Sequence, residues 1–106
     1  MNDLEYEELT DNTLLAVEEA IEQLELDLDY ESHGGLLSIT FPDQSKIIIN
    51  KQPPLQQLWL ATKFNGHHFE WRNGQWIDNR TGIEFWQLLS DAASKQAGSA
   101  VVLQAQ

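Results

Sequence analysis

Glu8, Asp11, Glu18, Glu22 and Glu25 recur at intervals of three, four and seven, spacings that return to one face of an α-helix, with Glu7 and Glu19 at its margins. Asp27, Asp29 and Glu31 then follow at every second position, the period of a strand with one wetted face. Asp11, Glu18, Glu19, Glu22, Glu25, Asp27, Asp29 and Glu31 are therefore the candidate metal ligands. Like charges at helical neighbour spacing each cost about 0.2–0.5 kcal/mol. No Lys or Arg precedes Lys46 to offset them, so the sequence predicts an uncompensated acidic ridge that a bound cation would relieve. Carboxylates alone select hard cations: ferric iron, magnesium, calcium or manganese, and ferrous iron more weakly, but not zinc or copper. An open ridge has no cage, so binding is expected to be weak, exchangeable and able to take several ions. A merely solvated, solubilising face is the alternative that spacing alone leaves open.

A second group is aromatic and amide. If Ile49, Leu58 and Leu60 point into a core, then Asn50, Gln57 and Trp59 share the opposite face of a sheet. A tryptophan beside adaptable amides on an uncovered sheet is the composition of a protein-binding hot spot. Trp71, Trp76, Phe85 and Trp86 are read as core or rim. His33, His67 and His68 match no metal-ligand spacing, and adjacent histidines in a strand point to opposite faces.

The absence of cysteine excludes disulfides, thiolate metal sites and cysteine nucleophiles. No nucleophile elbow or phosphate loop is present. A formal net charge of −11 disfavours nucleic acid and anionic lipid and favours a basic protein surface or a metal cation. No apolar run approaches a membrane span, and the first residues are acidic where a signal would be basic. A cytoplasmic protein with no membrane partner is the expectation.

These groups must be positioned by elements. Tyr6, Thr10, Leu14, Val17, Ile21 and Leu24 give a helix one apolar stripe. From Leu26 the period changes to two, with Leu26, Leu28 and Tyr30 inward and the acids outward. A turn at His33, Gly34 and Gly35 leads to inward Leu37, Ile39 and Phe41, and after Pro42–Ser45 the run Lys46–Lys51 reads as a central strand. Pro53 and Pro54 break the ladder before a strand at Leu58–Ala61. Asn65-Gly66 and Asn73-Gly74 then bound further strands at His68–Trp71 and Gln75–Ile77. Thr81 and Glu84 read as a capping box for a last helix through Phe85, Leu88, Leu89, Ala92 and Ala93 to Gly98, with a less ordered tail at Ser99–Gln106. The predicted fold is α+β: a two-layer sandwich over residues 1–106 as one domain, with two helices on one face of an antiparallel sheet of five or six strands.

The stretch Ile49-Asn50-Lys51-Gln52-Pro53-Pro54-Leu55-Gln56-Gln57-Leu58-Trp59-Leu60-Ala61 resembles the signature of frataxins. Ser45–Asn50, Trp59–Lys63 and Phe85–Leu89 resemble the bacterial form, and the similarity covers almost the whole chain. The resemblance implies a helix–sheet–helix sandwich that binds ferrous or ferric iron through the first helix and adjoining strand. It also implies partners, a cysteine desulfurase and the iron–sulfur scaffold protein, with the desulfurase engaging the ridge. Glu18, Glu19, Glu22, Glu25, Asp27, Asp29 and Glu31 fall on acidic family positions, and Trp59 on an exposed tryptophan; Glu18, Glu19, Glu22, Asn50, Gln57 and Trp59 are the candidate partner contacts. The implied role is an iron-binding regulator or iron chaperone of cluster assembly, monomeric without metal, with metal able to bring copies together. The alternative is an acidic adaptor in which metal binding is incidental. Dedicated iron oxidation is disfavoured because no Glu-x-x-His pair lies on a helix.

Overall fold

The computed structural model describes residues 1–105. Helix α1 (Asp3–Glu22) leads into a six-stranded sheet: β1 (Asp29–His33), β2 (Leu36–Thr40), β3 (Lys46–Gln52), β4 (Gln57–Ala61), β5 (Gly66–Arg72) and β6 (Gln75–Asp78). Helix α2 (Phe85–Ala97) closes the order. Every neighbouring pair of strands is antiparallel and the spatial order is the chain order. Short turns suffice for such a meander, so no crossover helix is needed.

The register fixes which side chains share a face. Leu37 opposes Ile49, Ile49 opposes Leu60, Leu58 opposes Phe69 and Trp71 opposes Trp76. These residues face the helices and, with Tyr6, Val17, Ile21, Phe85 and Leu89, form one core. Phe85 meets Phe69 edge to face at 5.3 Å, which ties α2 to the sheet. The opposite sheet face carries Ser38, Ile48, Asn50, Trp59, His68 and Glu70, is covered by no helix, and is half-exposed for the most part. The predicted two-layer α+β arrangement is the observed one, with six strands.

Helix α1 begins with a reciprocal cap that the sequence reading did not identify. Glu5 N–H donates to Asn2 Oδ1 at 2.8 Å, and Asn2 N–H reaches back toward Glu5 Oε1 at 3.4 Å. Its apolar stripe of Tyr6, Thr10, Leu14, Val17 and Ile21 is buried as predicted. The helix stops at Glu22, one turn earlier than the acidic periodicity suggested. Residues 23–28 are needed to carry the chain from the helix layer to the sheet edge, and Leu24 and Leu28 hold that crossing against the core. Leu26 is consequently exposed, and β1 begins at Asp29 rather than Leu26.

The proline interruption between β3 and β4 is a 3-10 turn at Pro53–Leu55, closed by Gln56 at φ 50°. Tyr6 reaches this weak point from α1: Gln52 N–H donates to its hydroxyl at 2.9 Å, and the hydroxyl donates to the Gln57 carbonyl at 2.6 Å. One phenol thus serves both backbone groups at the end of the ladder. Tyr6→Phe keeps the ring and orphans both groups, so unfolding in urea is expected to show a loss of about 1–2 kcal/mol.

At the other end of the molecule, the buried Gln96 of α2 joins two loops. Its Oε1 accepts from Lys63 N–H at 2.9 Å, while Nε2 donates to Ser45 Oγ at 2.9 Å and to the Lys46 carbonyl at 3.3 Å. Two further expectations are corrected here. Glu84, not Thr81, caps α2, its carboxylate accepting from the N–H groups of Trp86 and Gln87; Thr81 instead donates to Asp78. The tail is not loose: Val101 and Leu103 are buried against α2. Gln106, the last residue of that expected tail, lies outside the described residues.

Candidate metal and partner-docking surfaces

The eight candidate ligands are dispersed over three elements. Asp11, Glu18, Glu19 and Glu22 lie on α1, Glu25 and Asp27 in the crossing segment, and Asp29 and Glu31 on β1. The pleat of β1 divides them further. Tyr30 opposes Ile39 and turns toward the helices, whereas Asp29 and Glu31 oppose Thr40 and Ser38 and point to the open face of the sheet. The acids therefore wrap the β1 edge of the sandwich instead of forming one continuous ridge. Among the described residues, no three His, Asp or Glu side chains converge closely enough to hold a metal ion in place.

Tyr30 links the two parts and was read in the sequence only as an inward apolar residue. Partial burial, and then the neighbouring carboxylates of Glu22 and Glu18, push its phenol above its ordinary value. Glu18, Glu19 and Glu22 also occupy the C-terminal end of α1, where the helix dipole adds negative potential and the last turn has no basic residue. A cation there is favoured twice over.

Asp11 behaves differently from its expectation. Lys51 extends from β3 under α1 and places its ammonium 2.6 Å from Glu7 Oε1 and 2.5 Å from Asp11 Oδ1. Glu7 and Asp11 thus share one counter-charge, from a residue 40 positions beyond Asp11 in sequence.

On the open sheet face, Asn50 sits directly opposite Trp59, which in turn opposes His68. The indole stacks on the His68 ring with centroids 4.1 Å apart and planes within 9°. Its Nε1–H donates to Gln57 Oε1 at 2.8 Å, Gln57 Nε2 donates to Glu70 at 3.0 Å, and Arg72 holds the other oxygen of Glu70. The Arg72 bond, with help from Gln57, keeps the Glu70 carboxyl below its usual range. Gln57 thus orients Trp59 and has its amide spent on that task, leaving Trp59 and Asn50 as the presented groups. A shallow depression of about 230 Å³ beside them is lined by Ile48, Ala61 and His68. His68 and Glu70 were not among the candidates; the outward phase of β5 relative to Trp59 was the signal that could have found them.

The two adjacent histidines diverge as expected. His67 turns inward to Asp78 at 3.0 Å, His68 outward to Trp59. His33 ends β1 on the open face and joins no ligand cluster.

Comparison with known proteins places this architecture. The Frataxin-like domain family matches residues 1–99. The chain belongs to the frataxin family. This frataxin is 60% identical over 97 residues to the iron-sulfur cluster assembly protein CyaY of Pseudoalteromonas atlantica, covering 92% of this chain and 90% of the relative. It is 56% identical to the CyaY of Colwellia psychrerythraea over the full length of both. Among solved structures, frataxin from Psychromonas ingrahamii superposes with a TM-score of 0.91 at 46% identity, covering 98% of this chain and 99% of that one. A trimeric yeast frataxin complexed with ferrous iron superposes with a TM-score of 0.69 at 26% identity, over 93% and 88% of the two chains. The helix–sheet–helix order expected from the frataxin resemblance is the order observed here. No helix among the described residues of this frataxin is long and apolar enough to cross a membrane.

Proposed function

We propose that this chain acts in iron–sulfur cluster assembly as a non-catalytic, cytoplasmic, single-domain regulator. It binds ferrous or ferric iron weakly at the carboxylates around the end of α1 and β1 and docks on a cysteine desulfurase and the cluster scaffold. The names of its relatives support the pathway, and the yeast relative complexed with ferrous iron supports the cargo. The observation that carries the reading for this chain is the grouping of Glu18, Glu19 and Glu22 at the negative end of α1 with no basic residue in the last turn. Glu25, Asp27, Asp29 and Glu31 extend the field around the sheet edge. Scattered, exposed carboxylates fit cargo that must be released, since no fixed second shell holds it. The same field would steer a basic protein surface, so iron and partner compete for it. Iron could also join copies through unsatisfied coordination positions, in keeping with the yeast trimer.

Replacing Glu18, Glu19 and Glu22 together by glutamine is expected to weaken ferrous iron binding at least about tenfold, or ~1.4 kcal/mol, in anaerobic calorimetry at physiological salt. Docking on the desulfurase should fall with it, and should weaken in the intact protein as salt or iron rises. Trp59→Ala should leave iron binding in place while weakening the contact made by the open sheet face. Unchanged iron affinity in the triple variant would sink the reading.

The scatter of the ligands favours a second reading, in which the acidic edge is a docking surface and metal binding is incidental. Under that reading desulfurase binding responds to salt but not to stoichiometric iron.

A further inference from the structure

We propose that Lys51 is a built-in counter-cation that reserves Glu7 and Asp11 and confines exchangeable cations to the Glu18–Glu31 end of the acidic edge. The proposal rests on reading that edge as cation-binding, but it concerns a different pair of carboxylates and can be tested apart from it.

The geometry is specific. Glu7 and Asp11 are one helical turn apart and aim one oxygen each at a single point, the Lys51 ammonium, at 2.6 and 2.5 Å. Both oxygens are within hydrogen-bonding reach of that one ammonium, which neutralises the pair at the point between them. The ammonium therefore stands where an ion bridging the two carboxylates would stand.

Lys51 has little freedom to leave. Its side chain is only 12% exposed, against 49% and 65% for its partners. Its N–H donates to the Gly35 carbonyl at 3.0 Å, and its stem crosses Gly35 so closely that a Cβ there would lie 3.1 Å from Lys51 Cδ. Burial works against the charge on Lys51, but Asp11 and Glu7 outweigh it and hold the ammonium more basic than an ordinary lysine.

An incoming ion would have to take both acids and leave the Lys51 ammonium, held by its packed stem, unpaired beside a new positive charge, an arrangement that like-charge repulsion penalises. A tethered ammonium is also present at an effective concentration of about millimolar or more, whereas a metal arrives from dilute solution. The other acids of the edge have no such partner: the remaining side-chain ion pairs among the described residues involve Asp43, Asp78 and Glu70. One lysine thus separates the acids of the edge into a structural pair and an exchangeable group.

Mn²⁺ titration of the full chain, read by electron paramagnetic resonance, tests the division. Lys51→Met keeps the stem over Gly35 and removes the charge; it should bind one more Mn²⁺ than the unaltered protein. Adding Asp11→Asn to Lys51→Met should abolish that gain, and Lys51→Arg should show none. An unchanged count in Lys51→Met, or an extra ion that survives Asp11→Asn, overturns the proposal. If Lys51→Met does not fold by circular dichroism, Asp11→Asn alone decides. It should leave Mn²⁺ affinity within about twofold, as for a site sharing no partner, and a larger loss overturns the proposal. An unaltered protein that binds no Mn²⁺ counts against the proposed iron function, yet a gain in Lys51→Met that depends on Asp11 would still uphold the role of Lys51.

Discussion

Asp78→Ala is expected to destabilise the fold by about 3 kcal/mol, the worth of the hydrogen bonds that a buried carboxylate accepts, as measured by urea unfolding. The Asp78 side chain is fully buried at the end of β6. One oxygen accepts from Arg80 N–H at 3.2 Å; the other accepts from Thr81 Oγ at 2.7 Å and lies 3.0 Å from His67 Nδ1. Its backbone is engaged as well, donating to the Ile83 carbonyl and accepting from Gly82 N–H, both at 2.9 Å. The carboxylate therefore shapes the whole connection from β6 to α2. Alanine would take the acceptor from the Arg80 N–H, the Thr81 hydroxyl and the His67 ring; a hydrogen bond to a charged group is worth about 1.5–3 kcal/mol, less at Arg80 and Thr81, which are exposed to water.

The same residue gives an acid limb to stability. Burial alone would raise the Asp78 pKa, but the Thr81 and His67 hydrogen bonds and the Arg80 N–H more than offset it, so the folded value lies below the ordinary 3.8. A carboxyl whose folded pKa is depressed contributes stability that is complete above its unfolded value and is lost as pH falls through the folded one. Asp78→Asn keeps the shape and cannot ionise. The stability difference between the unaltered protein and Asp78→Asn should be constant near about pH 6 and shrink below about pH 4. A difference that stays flat into acid would mean that the charge of Asp78 contributes nothing and only its shape matters.

Asp78 was invisible to sequence reading, whereas the sheet beside it was not. Leu37, Ile39, Ile47, Ile49, Leu58, Leu60 and Phe69 announce their inward phase by alternation, because a half-covered antiparallel sheet imposes that pattern directly on the chain. Tyr6, Thr10, Leu14, Val17 and Ile21 do the same at helical period. Periodicity fails where the chain changes layers: Leu26 keeps step with Leu28 and Tyr30, yet the crossing from α1 to β1 leaves it in solvent. It also says nothing about contacts between distant residues. Lys51 pairs with Glu7 and Asp11 because β3 runs beneath the first turns of α1, and no spacing rule connects positions so far apart. Asp29 and Glu31 were legible as solvent-facing, but their placement on the Trp59 side of the sheet needed the observed register of β1 against β2.

The sequence predicts a less ordered tail after α2, yet cutting back its apolar contacts should be nearly as costly as losing Asp78. Ser90 and Ser94 are one turn apart on α2, an axial rise of about 6 Å. Val101 and Leu103, two residues apart in extended chain, span about 6.6 Å. The match lets each serine act as a surrogate strand position. Ser94 Oγ accepts from Val101 N–H at 2.8 Å and donates to its carbonyl at 3.0 Å, and Ser90 Oγ does the same for Leu103 at 2.9 and 3.0 Å. Backbone groups that a buried tail would otherwise orphan are thereby satisfied, which frees Val101 and Leu103 to bury their side chains to 3% and 2% exposure while Val102 faces solvent. Leu103→Ala should therefore cost about 2–4 kcal/mol, as for a core leucine, and Val102→Ala less than about 0.5 kcal/mol, as for a surface site. Ser90→Ala and Ser94→Ala should each cost about 1 kcal/mol. Thermal unfolding of the four variants discriminates a docked strap from a frayed end: equal, small shifts at Val102 and Leu103 would show that the alternation does not exist in solution, whereas a large loss confined to Leu103 and the two serines requires it.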